Sequence, residues 1–171
     1  MMMNSKRLSI KKRYVIGIAA LLLTISVAPA HSAGNLSGYN FSAKTLAGAS
    51  FKGTVLKGKP TILWFWAPWC TVCRAESPDL VALAKTYKNQ VNIVGVASLG
   101  NIKEMKGFVS DTHTSNFTQL ADVSGQVWNY FGVVSQPSLV FISKKGEVFR
   151  HVGGVQNSDL ISITKKLIKG L

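Results

Sequence analysis

Thr61-Ile62-Leu63-Trp64-Phe65-Trp66-Ala67-Pro68-Trp69-Cys70-Thr71-Val72-Cys73 is the stretch that decides the fold. Its first six residues are an unbroken apolar run behind the breaker Lys57-Gly58-Lys59-Pro60. Such a run fits a strand buried on both faces, as in parallel or mixed sheets flanked by helices. Its far end carries both cysteines of the 171-residue chain. Beyond them, residues 72–88 place Leu80, Val81, Leu83, Ala84 and Tyr87 at helical spacing, with Pro78 expected to kink the helix. Cys70 and Cys73 are then one helical turn apart, so their sulfurs can meet. Cys70 falls at the helix N-terminus, where the dipole and free N–H groups favour an anion and can lower a cysteine pKa from ~8.5 to about 3.5–7.5. Thiol–disulfide exchange needs that pair of features, a thiolate attacker and a second thiol to resolve the mixed disulfide. The bland alternative is half of a zinc site. Zinc takes four ligands as a rule, and the domain offers only His113 and His151 besides, without ligand spacing. The pair is therefore read as redox-active, with no metal.

Working outward, residues 41–46 and 50–55 read as short strands around Ala47-Gly48-Ala49. Residues 91–97 read as a second buried strand, 103–110 and 123–131 as helices, and 138–142 and 147–152 as strands around the hairpin turn Lys144-Lys145-Gly146. Residues 158–168 form an amphipathic last helix, with Ser158 or Asn157 as its N-cap. The order β-β-β-α-β-α-α-β-β-α implies an α/β fold, a mixed central sheet with helices on both faces.

The N-terminus has a different character. Lys6, Arg7, Lys11, Lys12 and Arg13 precede the apolar residues 14–27, and Ala28-Pro29-Ala30 follows. This is the layout of a secretory signal peptide over 1–30, cleaved after Ala30. An uncleaved membrane anchor is the alternative, but spanning takes ~20 apolar residues. No cysteine near the cleavage region would carry a lipid. Residues 31–40 read as a flexible leader and 41–171 as the folded domain. Cleavage leaves 15 basic against 7 acidic residues, +8 in place of +13. The remaining lysines are scattered without interleaved aromatics, so a solvated basic surface is expected and no nucleic-acid partner.

The motif from Trp66 to Cys73 after a buried strand resembles the thioredoxin superfamily. Pro78 stands five residues past Cys73, where that family carries a helix proline. Val133-Val134-Ser135-Gln136-Pro137 stands where it carries a loop ending in a cis-proline, and Gly153-Gly154 leads into the last helix. Arg74-Ala75-Glu76 is similar to the exported TlpA/DsbE-like thiol–disulfide oxidoreductases, including secreted actinobacterial members. The resemblance implies a thioredoxin-like fold and exchange through a redox-active Cys70–Cys73 disulfide without further cofactor. It also implies export, protein thiols or disulfides as targets, and a membrane redox partner. Two departures stand out. Trp64 occupies the position of the buried aspartate of cytosolic thioredoxins, and no glutamate follows Pro137.

Cys70 is expected to attack and Cys73 to resolve. Gln136-Pro137 is read as the edge that docks an extended substrate, against an ordinary loop proline. Glu76 is either a buried proton carrier for Cys73 or a solvated first-turn glutamate. Trp69 is expected to shield Cys70 or to meet an apolar substrate. Trp64, Trp66 and Trp128 are read as packing residues, and His113 and His151 as surface or satisfied histidines. Oxidation of exported proteins is favoured over reduction of exported thiols such as those of apocytochrome c. A non-catalytic peptide-binding module and a thiol peroxidase are weaker readings.

Overall fold

An apolar run without alternation has to be covered on both sides, and all six residues of Thr61–Trp66 are buried. The computed structural model describes residues 37–170, so residues 1–30, read as a signal peptide, and residues 31–36, read as part of a leader, lie outside the described residues. In chain order the elements are β1 (Ser42–Thr45), β2 (Ser50–Lys52), β3 (Thr61–Trp66), α1 (Thr71–Thr86), β4 (Asn92–Ala97), α2 (Ile102–Asp111), β5 (Thr118–Ala121), α3 (Gln126–Tyr130), β6 (Ser138–Ile142), β7 (Val148–Val152) and α4 (Asn157–Lys169). The strands form one mixed sheet in the order β2-β1-β5-β4-β3-β6-β7. At its centre β3 runs parallel to β4 and antiparallel to β6.

Alternation along β3 sorts the core. Ile62, Trp64 and Trp66 pack with Cys73, Leu80 and Leu83 of α1, Met105 and Phe108 of α2, and Leu160 and Leu167 of α4. Leu63 and Phe65 point the other way, to Val127 and Trp128 of α3 and to Phe131. The expected α/β architecture, helices on both faces of a mixed sheet, is therefore borne out.

The local chemistry explains the element that carries the cysteines. Cys70 N–H donates to Ala67 O at 3.1 Å, closing the turn between β3 and α1. The helix runs through Pro78, which has no N–H for the carbonyl of Arg74 four residues back. The Ser77 hydroxyl donates to that carbonyl instead, at 2.8 Å.

Four expectations need correction. A strand absent from the sequence reading, β5, pairs in parallel with β4 and antiparallel with β1. The second strand stops at Lys52, and Gly53–Leu56 is a 3-10 turn. The N-cap of α4 is Gln156 and makes no side-chain cap bond. The domain also starts before residue 41. Gly38 N–H donates to Gly146 O at 3.1 Å, and Tyr39, 6% exposed, donates its hydroxyl to Ser143 O at 2.9 Å. Residues placed in the flexible leader thus clasp the β6–β7 turn.

Candidate active site

Cys70 is the N-cap of α1 and Cys73 lies in its first turn, so the helix itself sets their spacing, with Cα atoms 5.3 Å apart. The two are joined in a disulfide. They are unequal: Cys73 is fully buried, whereas Cys70 keeps 6% exposure. The Cys73 N–H donates to Cys70 Sγ at 3.0 Å, one of the free donors at a helix start.

Trp69, the residue before, is 62% exposed and donates its indole N–H to Leu99 O at 2.8 Å. The ring is thereby tied to the β4–α2 loop and stays on the surface beside the disulfide. Trp66 and Trp64 are buried, as expected. Trp66 stacks on Phe108 at 4.2 Å and donates to Gln119 Oε1 at 3.1 Å. Trp128 is buried too, its indole N–H on Val96 O at 3.1 Å.

Glu76, in the first turns of α1, is buried at 7% exposure. Its Oε1 accepts from Val155 N–H at 2.7 Å and its Oε2 from Trp64 Nε1 at 3.3 Å. Burial pushes its pKa above the ordinary carboxylate value, against the pull of those two bonds and of His151. Trp64 therefore has a second role that the sequence reading did not give it. Its signal was available, because a buried indole N–H needs an acceptor.

The Gln136–Pro137 peptide bond is cis, and Pro137 is buried. Phe65 pairs with Ser138, so Pro137 stands at the end of the sheet where β3 leaves for Cys70. Pro137 O accepts from Gly153 N–H at 2.9 Å. The 153–155 turn that supplies this donor also supplies Val155 N–H to Glu76, joining the proline loop to α1. His113 is exposed; His151, half-buried, reaches Gly154 O through Nε2 at 3.2 Å. Among the described residues, no group of three or more His, Cys, Asp or Glu side chains is placed to hold a metal ion.

The central sheet and the disulfide at the head of α1 put the chain in the thioredoxin-like class. Residues 37–151 match the AhpC/TSA family, and the chain belongs to it. It is similar to the soluble secreted antigen MPT53 of Mycobacterium tuberculosis, 43% identical over 106 residues, 62% of this chain and 60% of that protein's length. The thiol-disulfide oxidoreductase ResA of Bacillus subtilis is 32% identical over 134 residues, 76% of this chain and 73% of ResA. A structure of M. tuberculosis DsbF in mixed oxidised and reduced forms superposes with a TM-score of 0.74 at 41% identity, covering 77% of this chain and 97% of DsbF. The likeness to secreted thioredoxin-like proteins of the DsbE type, drawn from the motif, is thus borne out.

Proposed function

We propose that this chain is an exported thiol–disulfide oxidoreductase that oxidises thiols of exported proteins through Cys70 and Cys73. The observation that carries the reading is the inequality of the pair. Cys70 Sγ sits at a helix N-terminus on the Cys73 N–H, while Cys73 is sealed in the core. A substrate thiolate attacks Cys70 Sγ; the Cys70–Cys73 bond breaks, and Cys73 leaves with the electron pair and takes up a proton. The second substrate thiolate then attacks the substrate sulfur of the mixed disulfide and displaces the Cys70 thiolate. The substrate has lost two electrons, and the protein holds two thiols until a membrane partner re-oxidises it.

Glu76 lies one turn beyond Cys73 on the same helix, and its raised proton affinity suits it to supply the proton that Cys73 takes up. The cis Gln136–Pro137 edge docks an extended substrate backbone. Exposed Trp69, Val72 and Val134 offer that substrate an apolar surface, which fits an unfolded polypeptide better than a small thiol. We favour oxidation because Trp64 stands where cytosolic thioredoxins carry a buried aspartate and no glutamate follows Pro137; the helix end and the Cys73 N–H are placed to stabilise a Cys70 thiolate. A stabilised reduced form makes the disulfide a stronger oxidant. Export rests on the 1–30 leader and on the secreted relative.

The disulfide form is expected to speed refolding of a reduced protein with several cysteines, and Cys70→Ser to abolish this. A reduction potential near the about −270 mV of thioredoxin would turn the reading to a reductase that keeps exported thiols reduced.

A further inference from the structure

Val155 N–H, the shorter of the two donors to Glu76, comes from a residue 79 positions away in sequence. Something has to hold that donor in place. The turn that carries it has three anchors. Gly153, at φ 93°, donates to Pro137 O at 2.9 Å. Val155 donates to Glu76 Oε1 at 2.7 Å. Gly154 lies against α1, where a Cβ added to it would meet Glu76 Oε1 and Val72 Cγ1 at an ordinary contact distance of 3.4 Å. Its carbonyl faces the His151 ring, Nε2 to O at 3.2 Å. The acceptor is a carbonyl, so Nε2 carries the hydrogen of this bond. His151 is the last inward residue of β7 before the turn, opposite Leu139 of β6, and the proposed exchange chemistry leaves it without a task.

We propose that His151 is a positioning residue for Glu76: its Nε2–H fixes the carbonyl of Gly154, and with it the Val155 N–H that the carboxylate accepts. This deepens the reading of Glu76 as proton carrier for Cys73 and rests on it. Two titratable groups bear on that carboxylate, Asp79 one turn on in α1, which opposes its charge, and His151 itself, which favours it. Phenylalanine at 151 keeps a ring and loses the donor. Glutamine keeps a neutral donor at a similar reach.

The test is a 13C NMR titration of the glutamate carboxyl carbons in the oxidised protein. The Glu76 signal is assigned by its absence in Glu76→Gln. In His151→Phe the Glu76 midpoint is expected to rise by about one pH unit, the size of one weakened hydrogen bond to a charged group. His151→Gln should return it most of the way to the parent value. A midpoint unmoved in His151→Phe, or moved equally in His151→Gln, overturns the inference. Disulfide exchange by the parent and by Glu76→Gln is measured alongside. If Glu76→Gln exchanges as fast as the parent, the proton-carrier reading fails, whereas the titration still decides whether His151 positions the carboxylate.

Discussion

Both carboxylate oxygens of Glu76 accept a hydrogen bond, one from Val155 and one from Trp64, and both bonds favour its charge. Burial opposes them and prevails, so the acid binds its proton more tightly in the folded chain than in the unfolded one. The consequence for stability has a definite sign. The stabilisation linked to that proton is complete below the unfolded glutamate value of ~4.3 and is lost as the pH rises through the higher folded value. Glutamine does not ionise. It also cannot accept at both positions, so Glu76→Gln loses one bond at every pH, a constant offset. Urea unfolding from about pH 4 upward should therefore show parent stability falling relative to Glu76→Gln. A difference between the two that stays level with pH would mean that Glu76 binds its proton no more tightly folded than unfolded. At this scale the sequence showed the carboxylate but left its state open. What decides it is burial against Trp64 and the 153–155 turn, brought together from far along the chain, and no local pattern carries that.

The strands teach the same lesson one level up. β3 and β6 are legible to the residue because each is an apolar run that ends where a loop begins, at Ala67 and at Ser143. β5 is not, because it has four residues and its buried Gln119 reads as polar. Gln119 is buried by its partners: Oε1 accepts from Trp66, and Nε2 donates to Thr114 O at 2.8 Å. It faces Gly95 across the β4–β5 ladder, and a Cβ on Gly95 would collide with Gln119 Oε1 and stand 2.9 Å from Trp66 Nε1. The small residue in β4 thus makes room for the amide that fixes the Trp66 indole, and Trp66 ends the strand that delivers Cys70. Gly95→Ala is expected to lower stability by about 1–3 kcal/mol, the range for overpacking a filled core. In a Gln119→Ala background the same change should cost less, because the amide it strikes is gone. Urea unfolding of the four proteins reads this directly, and an equal cost in both backgrounds would show that Gln119 is not the obstacle.

At the scale of the whole molecule, the direction of electron flow becomes a difference in folding stability between two redox forms. The disulfide joins residues three apart, so the loop it closes is short. Loop-closure entropy from so small a ring amounts to about 2 kcal/mol. Breaking it frees a Cys70 sulfur that already stands on the Cys73 N–H at the start of a sixteen-residue helix. In the unfolded chain that sulfur has neither the helix end nor the N–H, so the stabilisation of its thiolate belongs to the native reduced state alone. Around the closed cycle of folding and reduction, whichever form folds more stably sets the potential relative to an unstructured C-x-x-C. About 1.4 kcal/mol corresponds to 30 mV. If this chain is an oxidase, the reduced form is expected to unfold at higher urea concentration than the disulfide form at neutral pH. The potential measured against glutathione should lie above that of the unfolded pair by the matching amount. A disulfide form that is the harder to unfold would reverse the inference. The helix end would then contribute less than ring closure, and the same two cysteines would serve to reduce exported thiols.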